Sequence, residues 1–320
     1  MTFLVVPIAV DAAVSQVADW PLQCADGSPW LLVDAALVEF DRILSSLKVW
    51  GCHTYPVFAR SRLAAFGDKG PHLVSLPREA DALRSRLTQL LQAHAAAPAF
   101  SWLYSVRPAD EICAALSLLG LVRVDGDLEL HCRFADTRVL TALWAALTEQ
   151  QRSWLAPCIS AWGCPDRAGG VLDLRVKSAM PGQPATPPPE ILELDAMQFS
   201  AVLDASEPDT VFNALKESTP EFVRDGVRRS DLHQQIAQAL GRATALHVTQ
   251  TPDRLQFVVL SLQCGELFFQ QSALAQTWAE VAQGARLETL MKLWPAEIWE
   301  ALAPGETDAG ALGILEGDWQ

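Results

Sequence analysis

A proline-rich stretch constrains the organisation of this chain more than any other feature. Five prolines stand among the nine residues from Pro181 to Pro189. Because proline lacks a backbone N–H and its ring fixes φ, this stretch is predicted to run extended, outside any helix or sheet interior. It therefore separates two regions of different character. The predicted organisation is a first domain at residues 1–176, a linker at 177–190, a second domain at 191–303 and a loose tail at 304–320.

Before the linker, apolar runs of strand length alternate with segments of helical periodicity. Trp30-Leu-Leu-Val33 is a continuous apolar run, which is typical of a buried strand. Between Ala36 and Leu47 the apolar residues recur at the spacing of one helix face. Asp125-Gly126 stands between two further apolar runs and is a hairpin turn signal. This alternation predicts an α/β domain with a mixed sheet of short strands.

After the linker, the signals are almost all helical. Asp195, Glu207-Pro208 and Ser230-Asp231 are each predicted to begin a helix. The segment from Leu287 to Leu302 is predicted to form one continuous helix that completes the set. The second lobe is therefore predicted to be mostly α-helical.

Charge and cysteine usage limit the possible partners. The chain has a net charge of −14, which repels nucleic-acid phosphates and anionic membrane surfaces, so neither is an expected partner. The apolar run from Phe3 to Val10 follows no Lys or Arg and is shorter than the about 20 residues of a membrane span. We predict a strand or a packed arm there. The seven cysteines are irregularly spaced, which is typical of reduced thiols in a cytoplasmic protein.

The sequence contains none of the familiar catalytic motifs. Gly-x-Ser-x-Gly, Gly-x-x-x-x-Gly-Lys and His-Glu-x-x-His are all absent. The adjacent pairs Cys52-His53 and His131-Cys132 have no second pair at metal-ligand spacing. Since neighbours on a strand point to opposite faces, either Cys132 or His131 faces the core. We therefore predict no catalytic residue, no cofactor and no metal site.

Two further sets of residues allow a structural and a functional interpretation. Asp34, Asp136 and Asp195 each follow a strand or precede a helix, where capping is the expected role of a carboxylate rather than acid–base chemistry. The chain also has eleven tryptophans. Most are expected in the core, and some on a protein-binding surface, where tryptophan is enriched. The sequence does not assign individual tryptophans to these two groups.

The segment from Leu130 to Leu140 resembles the Arg-Phe-x-Asp-x-Arg-Val-Leu signature of type VI secretion effector chaperones, also called Tap or TEC adaptors. The matching residues are Arg133, Phe134, Asp136 and Arg138. This chain has Ala135 and Thr137 where the family often has Tyr or Asp-Pro. The segments that also resemble the family, in order and spacing, are Trp30–Asp34, Leu73–Pro77, Leu147–Trp154 and the helical region after the linker. The likeness covers roughly residues 28 to 300.

The resemblance implies a non-enzymatic, cytoplasmic adaptor that binds a secreted effector toxin and helps to seat it on VgrG, the spike-tip protein. It assigns no partner-binding residues. In physical terms the signature is a strand end that turns into a helix, with Phe134 packed inward and Asp136 capping a helix that begins near Arg138. Arg133 is expected to pair with a carboxylate at the sheet edge. Two other functions stay open, a hydrolase-like α/β enzyme and an immunity protein that inhibits a toxin.

Overall fold

The protein consists of two compact units that divide between Ser206 and Glu207. A computed structural model describes residues 3–23, 26–124, 126, 128–176, 187–220 and 228–303. The first unit is an α/β structure and the second is mostly helical, which confirms the predicted fold class. The division lies beyond the predicted linker at 177–190, and residues 177–186 of that linker lie outside the described residues, as does the predicted tail at 304–320.

The first unit contains two sheets. Its strands are β1 (Ser28–Asp34), β2 (Thr54–Pro56), β3 (Pro71–Ser75), β4 (Phe100–Ser105), β5 (Leu121–Val124), β6 (Leu128–His131), β7 (Ala161–Pro165), β8 (Val171–Asp173) and β9 (Leu192–Leu194). The larger sheet is antiparallel, in the order β2-β3-β1-β4-β7-β8. The smaller sheet, in the order β6-β5-β9, is mixed. The predicted mixed pairing is found in this smaller sheet, whereas the larger sheet, which contains the predicted strand at Trp30–Val33, is antiparallel.

In the part of the first unit that the structure describes, six α-helices cover the larger sheet or connect its strands. They are α1 (Val10–Gln23), α2 (Phe40–Val49), α3 (Ala80–Ala93), α4 (Ala109–Ser117), α5 (Thr137–Ala146) and α6 (Glu149–Ser153). Helix α6 begins with a capping box in which Thr148 and Gln151 exchange side-chain and backbone hydrogen bonds. Helix α7 (Ala196–Ser218) follows β9.

Strand β1 lies in the middle of the sheet because both of its faces are apolar. Leu31 and Val33 pack in one cluster with residues of α1, α2 and α3. Trp30 and Leu32 point to the opposite face, into a cluster with residues of α4, α5 and the small sheet. A continuous apolar run is the pattern expected of a strand that is covered on both faces. The larger sheet is therefore the middle layer of the first unit.

The N-terminal apolar run is a packed arm, one of the two forms predicted for it. Leu4 and Ile8 are buried, and no strand is assigned to residues 3–9. The backbone N–H groups of Val6 and Ala9 donate to the carbonyls of Arg167 and Gly169. The helix that follows, α1, is not among the sequence-based predictions, although its buried residues recur at helical spacing. They are Ala13, Val14, Val17 and Trp20.

The predicted hairpin at Asp125-Gly126 is confirmed, because β5 and β6 pair antiparallel across it. Gly126 has a φ of +83°, a value that glycine adopts without steric cost. Strand β9 lies after the proline-rich stretch and pairs parallel with β5. Residues 187–206 therefore lie in the first unit, whereas the sequence-based boundary assigned residues 191–206 to the second domain.

Within the described residues, the second unit contains the rest of α7 and five further α-helices. These are α8 (Arg229–Ala245), α9 (Thr251–Cys264), α10 (Ala275–Ala282), α11 (Leu287–Met291) and α12 (Ala296–Leu302). Leu232, Ile236 and Leu240 of α8 are all buried, as their spacing predicts. Within the described residues no helix is long and apolar enough to cross a membrane.

The predicted helix start at Glu207-Pro208 is wrong, because α7 continues through it. Proline removes one helical N–H, which normally ends or kinks a helix. Here Pro208 is itself buried, as are Val211 and Phe212 in the next turn. The Glu207 carboxylate also accepts hydrogen bonds from Arg254 Nε at 2.5 Å and Nη2 at 2.6 Å. Tertiary contacts thus keep this turn helical.

The predicted continuous helix from Leu287 to Leu302 is also wrong. It is two short helices, α11 and α12, separated before Pro295. Helix α11 ends at Met291, and Pro295 caps α12. The residue before a proline is disfavoured in the helical region, so Trp294 cannot carry one helix through Pro295. The helix around Asp195 does begin as predicted. Asp195 Oδ1 accepts a hydrogen bond from the N–H of Gln198 at 2.8 Å.

Close packing at β7 leads to a stability prediction. A methyl group on Gly163 would lie 2.2 Å from Trp102 Nε1 and 2.4 Å from Gln16 Oε1, two atoms that share a hydrogen bond. We expect Gly163→Ala to lower the free energy of unfolding by about 2–3 kcal/mol. Gly241→Ala is the matched control, because Gly241 lies in α8 with nothing within 4 Å of the added methyl. It should raise stability by about 0.5–1 kcal/mol. Urea unfolding of both variants tests the pair, and equal stability of Gly163→Ala and the parent chain would contradict it.

Candidate functional site

The signature segment connects the end of β6 to the start of α5. The N–H of Cys132 donates to the carbonyl of Gly120, and the N–H of Asp136 donates to the carbonyl of Arg133, which turns the chain. Phe134 is 0% exposed and meets the buried ring of Phe58 edge to face at 6.2 Å. The segment is thus a strand end that turns into a helix with its phenylalanine inside, as the sequence predicts.

Asp136 caps α5 and holds Arg138. Its Oδ1 accepts hydrogen bonds from the backbone N of Arg138 at 3.1 Å and from the Nε of the same residue at 3.0 Å. Its Oδ2 accepts from Arg138 Nη2 at 2.7 Å. Both side chains are largely buried, so the pair is screened little by solvent. The Arg138 guanidinium also lies 5.1 Å from the ring centre of Phe3, which connects the helix cap to the N-terminal arm.

Arg133 pairs with Asp34, which lies 99 residues earlier in the chain. Arg133 Nη2 donates to Asp34 Oδ2 at 3.1 Å, while Asp34 Oδ1 accepts from the backbone N of Ala36 at 3.0 Å and caps the 3-10 turn Ala35–Leu37. The expected carboxylate partner therefore exists, but it lies at the end of the central strand β1 rather than on an edge strand. Burial raises the pKa of Asp34, and the charge and hydrogen bond of Arg133 oppose that rise.

An exposed surface lies directly beside these buried pairs. We name it the signature surface and define it as Arg62, Phe66, Glu129, His131 and Arg133. Phe66 is 40% exposed, and the His131 ring stacks on it at 4.3 Å. Arg62 Nη2 contacts Glu129 Oε2 at 2.7 Å. Burial and the nearby Arg133 lower the pKa of His131, so its ring is neutral at physiological pH.

The cysteines and histidines considered in the sequence analysis do not form a common site among the described residues. Cys132 is buried and His131 is exposed, which decides between the two orientations left open by the sequence. Burial raises the pKa of the Cys132 and Cys164 thiols to about 12, and that of Cys113 and Cys264 to about 11. These thiols stay protonated and are poor nucleophiles. Among the described residues no group of three or more His, Cys, Asp or Glu is placed to hold a metal ion.

The structure separates buried from exposed tryptophans among the residues it describes, which do not include Trp319. Trp102 and Trp162 are fully buried in the first unit, where their ring N–H groups donate to Gln16 and Ser101. In the second unit, Trp299 is 42% exposed. Sequence periodicity did not single it out, because α12 is short and Leu302 is its one buried residue.

Residues 29–154 match the family model described as a domain of unknown function, DUF4123. The match begins in β1 and ends just after α6, so it contains both Asp34 and the whole signature segment. No curated protein and no solved structure matches the chain. The DUF4123 region thus contains the buried pairs and the signature surface, and the second unit lies outside it.

The carboxylates of Asp34 and Asp136 are engaged as caps and in ion pairs, so neither is a free base. The exposed groups of the signature surface are the rings of Phe66 and His131 and the guanidinium groups of Arg133 and Arg62, with Arg62 bound to Glu129. Such groups are enriched where one protein contacts another.

The Asp34–Arg133 pair gives a pH-dependent prediction. A carboxylate whose pKa is raised on folding favours the folded state at low pH, and this contribution is lost as the pH rises through the folded-state value. Arg133→Gln should raise the pKa of Asp34 further. We expect the variant to lose about 1–2 kcal/mol of unfolding free energy at pH 7, since Arg133 is partly exposed, and clearly less near pH 4.

Chemical denaturation of the parent chain and Arg133→Gln at the two pH values measures this difference. Asp34→Asn in the Arg133→Gln background is the matched control, because the amide oxygen can still cap Ala36 but has no acidic proton to lose. In the Asp34→Asn background, Arg133→Gln should therefore lower the free energy of unfolding by the same amount at pH 4 and at pH 7. A loss that is the same at pH 4 and pH 7 would show that Arg133 stabilises the chain by packing alone.

Proposed function

We propose that this protein is a non-enzymatic, cytoplasmic adaptor that binds a type VI secretion effector and assists its loading onto the VgrG spike. The observation that carries the proposal is the DUF4123 match over residues 29–154, because this domain is known in Tap and TEC effector adaptors. The signature residues Arg133, Phe134, Asp136 and Arg138 all lie inside that match.

The geometry of the signature supports a role in binding. Its polar residues are used to fix the junction of β6, α5 and the N-terminal arm, which gives the exposed side chains beside it a rigid base. A rigid surface binds with less loss of conformational entropy than a mobile one. The raised pKa of the buried thiols disfavours the alternative in which a cysteine acts as a nucleophile.

The mechanism would be recognition without turnover. The adaptor binds the effector in the cytoplasm, covers an apolar segment of it and releases it at the spike. By mass action, binding stabilises the folded effector by about 2.7 kcal/mol when free adaptor stands at 100 times its dissociation constant. An effector without its adaptor should therefore be less abundant in the soluble fraction.

Deletion of the gene tests this function. We expect secretion of one effector to fall at least tenfold, while the tube protein of the secretion machine is secreted at the parental level, because a carrier serves its cargo and not the machine. Immunoblots of culture supernatant and cell lysate measure both proteins, and a plasmid copy of the gene should restore the effector. Loss of both proteins together would indicate a structural part of the machine, and secretion of both would exclude an adaptor.

Co-expression with the affected toxin separates the adaptor from an immunity protein. An adaptor should raise the amount of soluble toxin and leave its activity intact after dissociation. Protection of the cells against the toxin without any increase in its solubility or export would instead assign the chain as an inhibitor.

A further inference from the structure

The outer side of strand β6 is open in the part of the chain that the structure describes. The N–H of Cys132 donates to the carbonyl of Gly120, the residue opposite it in the β5–β6 pair. Bonded positions alternate in an antiparallel pair, so the next bonded position is Leu130. Glu129 and His131 therefore direct their N–H and C=O groups away from β5, and no hydrogen bond to these four groups is found among the described residues. We name these four groups the β6 edge.

Strand β9 forms the opposite side of the same sheet, and a side chain covers it. Gln151 Nε2 donates to the carbonyl of Glu193 in β9 at 2.8 Å. Gln198 Nε2 in turn donates to Gln151 Oε1 at 2.7 Å, which holds that side chain in place. Proteins usually cover or charge the outer strands of a sheet, because unpaired backbone groups pair with other strands. The sheet is thus protected at β9 and accessible at β6.

The side chains of β6 do not oppose pairing with another strand. Glu129 is bound to Arg62 at 2.7 Å and to Arg123 at 3.0 Å, so its charge is neutralised within the chain. The ring of His131, whose pKa is lowered by burial, is neutral at physiological pH and stacks on Phe66. Strand β6 also contains no proline. It therefore lacks both a free charge and a proline, two common means of blocking an outer strand.

A strand added along β6 would meet two different faces of the sheet. Leu128 and Leu130 share one face, where Leu128 is 53% exposed and Leu130 packs on the core. Glu129 and His131 share the other face, next to the exposed ring of Phe66. Alternate side chains of the added strand would thus lie beside aliphatic groups on one face and polar or aromatic groups on the other. This pattern favours a segment in which β-branched aliphatic residues alternate with small polar residues.

The chain itself offers poor occupants for the β6 edge. Five prolines stand between Pro181 and Pro189, and proline has no N–H to donate to a carbonyl of β6. Residues 304–320 contain four glycines and a proline, which weaken a strand. A second copy would bring together two chains that each carry a net charge of −14. A segment of a different protein is free of these limits.

We propose that the β6 edge docks an extended segment of a partner protein, which adds a fourth strand to the smaller sheet. The proposal rests on the adaptor function only in naming the effector as that partner. The backbone groups of Glu129 and His131 would form up to four hydrogen bonds with the segment, and these bonds supply affinity for any extended chain. Contacts with Leu128 and Phe66 would supply selectivity.

Hydrogen exchange, followed by NMR on the full-length chain, tests the β6 edge directly. In the free chain the amides of Glu129 and His131 should exchange at least tenfold faster than the amide of Leu130, which is bonded to β5. Addition of the affected effector should slow exchange at Glu129 and His131 at least tenfold. The amide of Met197, in the exposed first turn of α7, is the control and should be unchanged.

A peptide tests the same edge without the effector. The probe is a labelled ten-residue peptide in which Val alternates with Thr, compared with two versions that are N-methylated at every Val or at every Thr. Successive N–H groups of a strand point to opposite sides, so only one of the two sets can face β6. Fluorescence anisotropy should show binding at least tenfold weaker for one methylated version and within threefold of the parent peptide for the other.

Substitutions in β6 locate the binding site. His131→Pro removes one outward N–H and should weaken peptide binding at least tenfold. His131→Thr is the matched control, because it loses the same ring but keeps the N–H, and it should bind within threefold of the parent chain. Leu128→Lys adds a free charge beside the edge and should weaken binding at least threefold. Leu128 is so exposed that folding should stay intact, and Val49→Lys, at an exposed position of α2, is its control.

The effector complex separates this proposal from the adaptor function. Slowed exchange at Glu129 and His131 supports the proposal even where the Val-Thr peptide does not bind, because side chains of the effector then supply the selectivity. An effector that binds without slowing either amide would overturn the proposal and leave the adaptor function standing. If no complex forms, the adaptor function fails, and the peptide alone decides. Equal binding of the two methylated peptides, or no binding of the parent peptide, would then overturn the proposal.

Two results with the free chain would also overturn it. Slow exchange at Glu129 and His131 in a monomer would show that the chain covers its own edge. A dimer in sedimentation that His131→Pro dissociates and His131→Thr does not would assign the edge to a second copy. The comparison of methylated peptides uses the unaltered chain, so it stands even if His131→Pro fails to fold.

Discussion

The burial of β1 on both faces is the constraint on which the rest of the first unit depends. Its backbone pairs with β3 on one side and β4 on the other, and its side chains join both apolar clusters of the unit. The strand therefore ends inside the protein, where Asp34 would be costly without partners. Ala36 and Arg133 supply them. Through Arg133, the position of the signature segment follows directly from the position of the central strand.

This dependence explains why the signature residues are mostly inside the protein. Phe134 and Asp136 are buried, and Arg138 is bound between the carboxylate of Asp136 and the ring of Phe3. The two ion pairs at this junction are buried or partly buried, so the cost of desolvation offsets much of the attraction between their charges. Their main effect is to hold the junction in a single geometry rather than to raise the net stability. What the junction presents outward is a small aromatic and cationic surface. The buried polar groups thus define the shape of the junction, and the exposed groups are free to contact a partner.

Local patterns in the sequence predict much of the fold. The apolar run Trp30–Val33 lies in β1, β5 and β6 form the hairpin predicted at Asp125-Gly126, and Asp136 and Asp195 cap their helices, because each of these features is decided within a few residues. The errors arise where distant residues decide. Pro208 stays helical because it is buried, in a turn where the adjacent Glu207 binds Arg254. Strand β9 belongs to the smaller sheet of the first unit because it pairs with β5.

The candidate site was only half predictable for the same reason. The roles of Phe134 and Asp136 follow from a strand-to-helix turn, but the pairing of Arg133 with Asp34 spans 99 residues and has no local signal. The exposure of Trp299 likewise depends on how α12 packs, with its end held by the hydrogen bond from Gln271 to the carbonyl of Ala301, and so short a helix does not reveal its buried face by periodicity.

The central claim is that this chain acts by stoichiometric binding of another protein, and titration of the affected effector with purified adaptor tests it most directly. Thermal unfolding of the effector should shift upward as adaptor is added, with a break in the titration at a fixed molar ratio, and the complex should elute as one species in size-exclusion chromatography. The shift should then grow only slowly with excess adaptor, as mass action requires. A full effect at adaptor concentrations far below that of the effector, or no complex at all, would contradict the account.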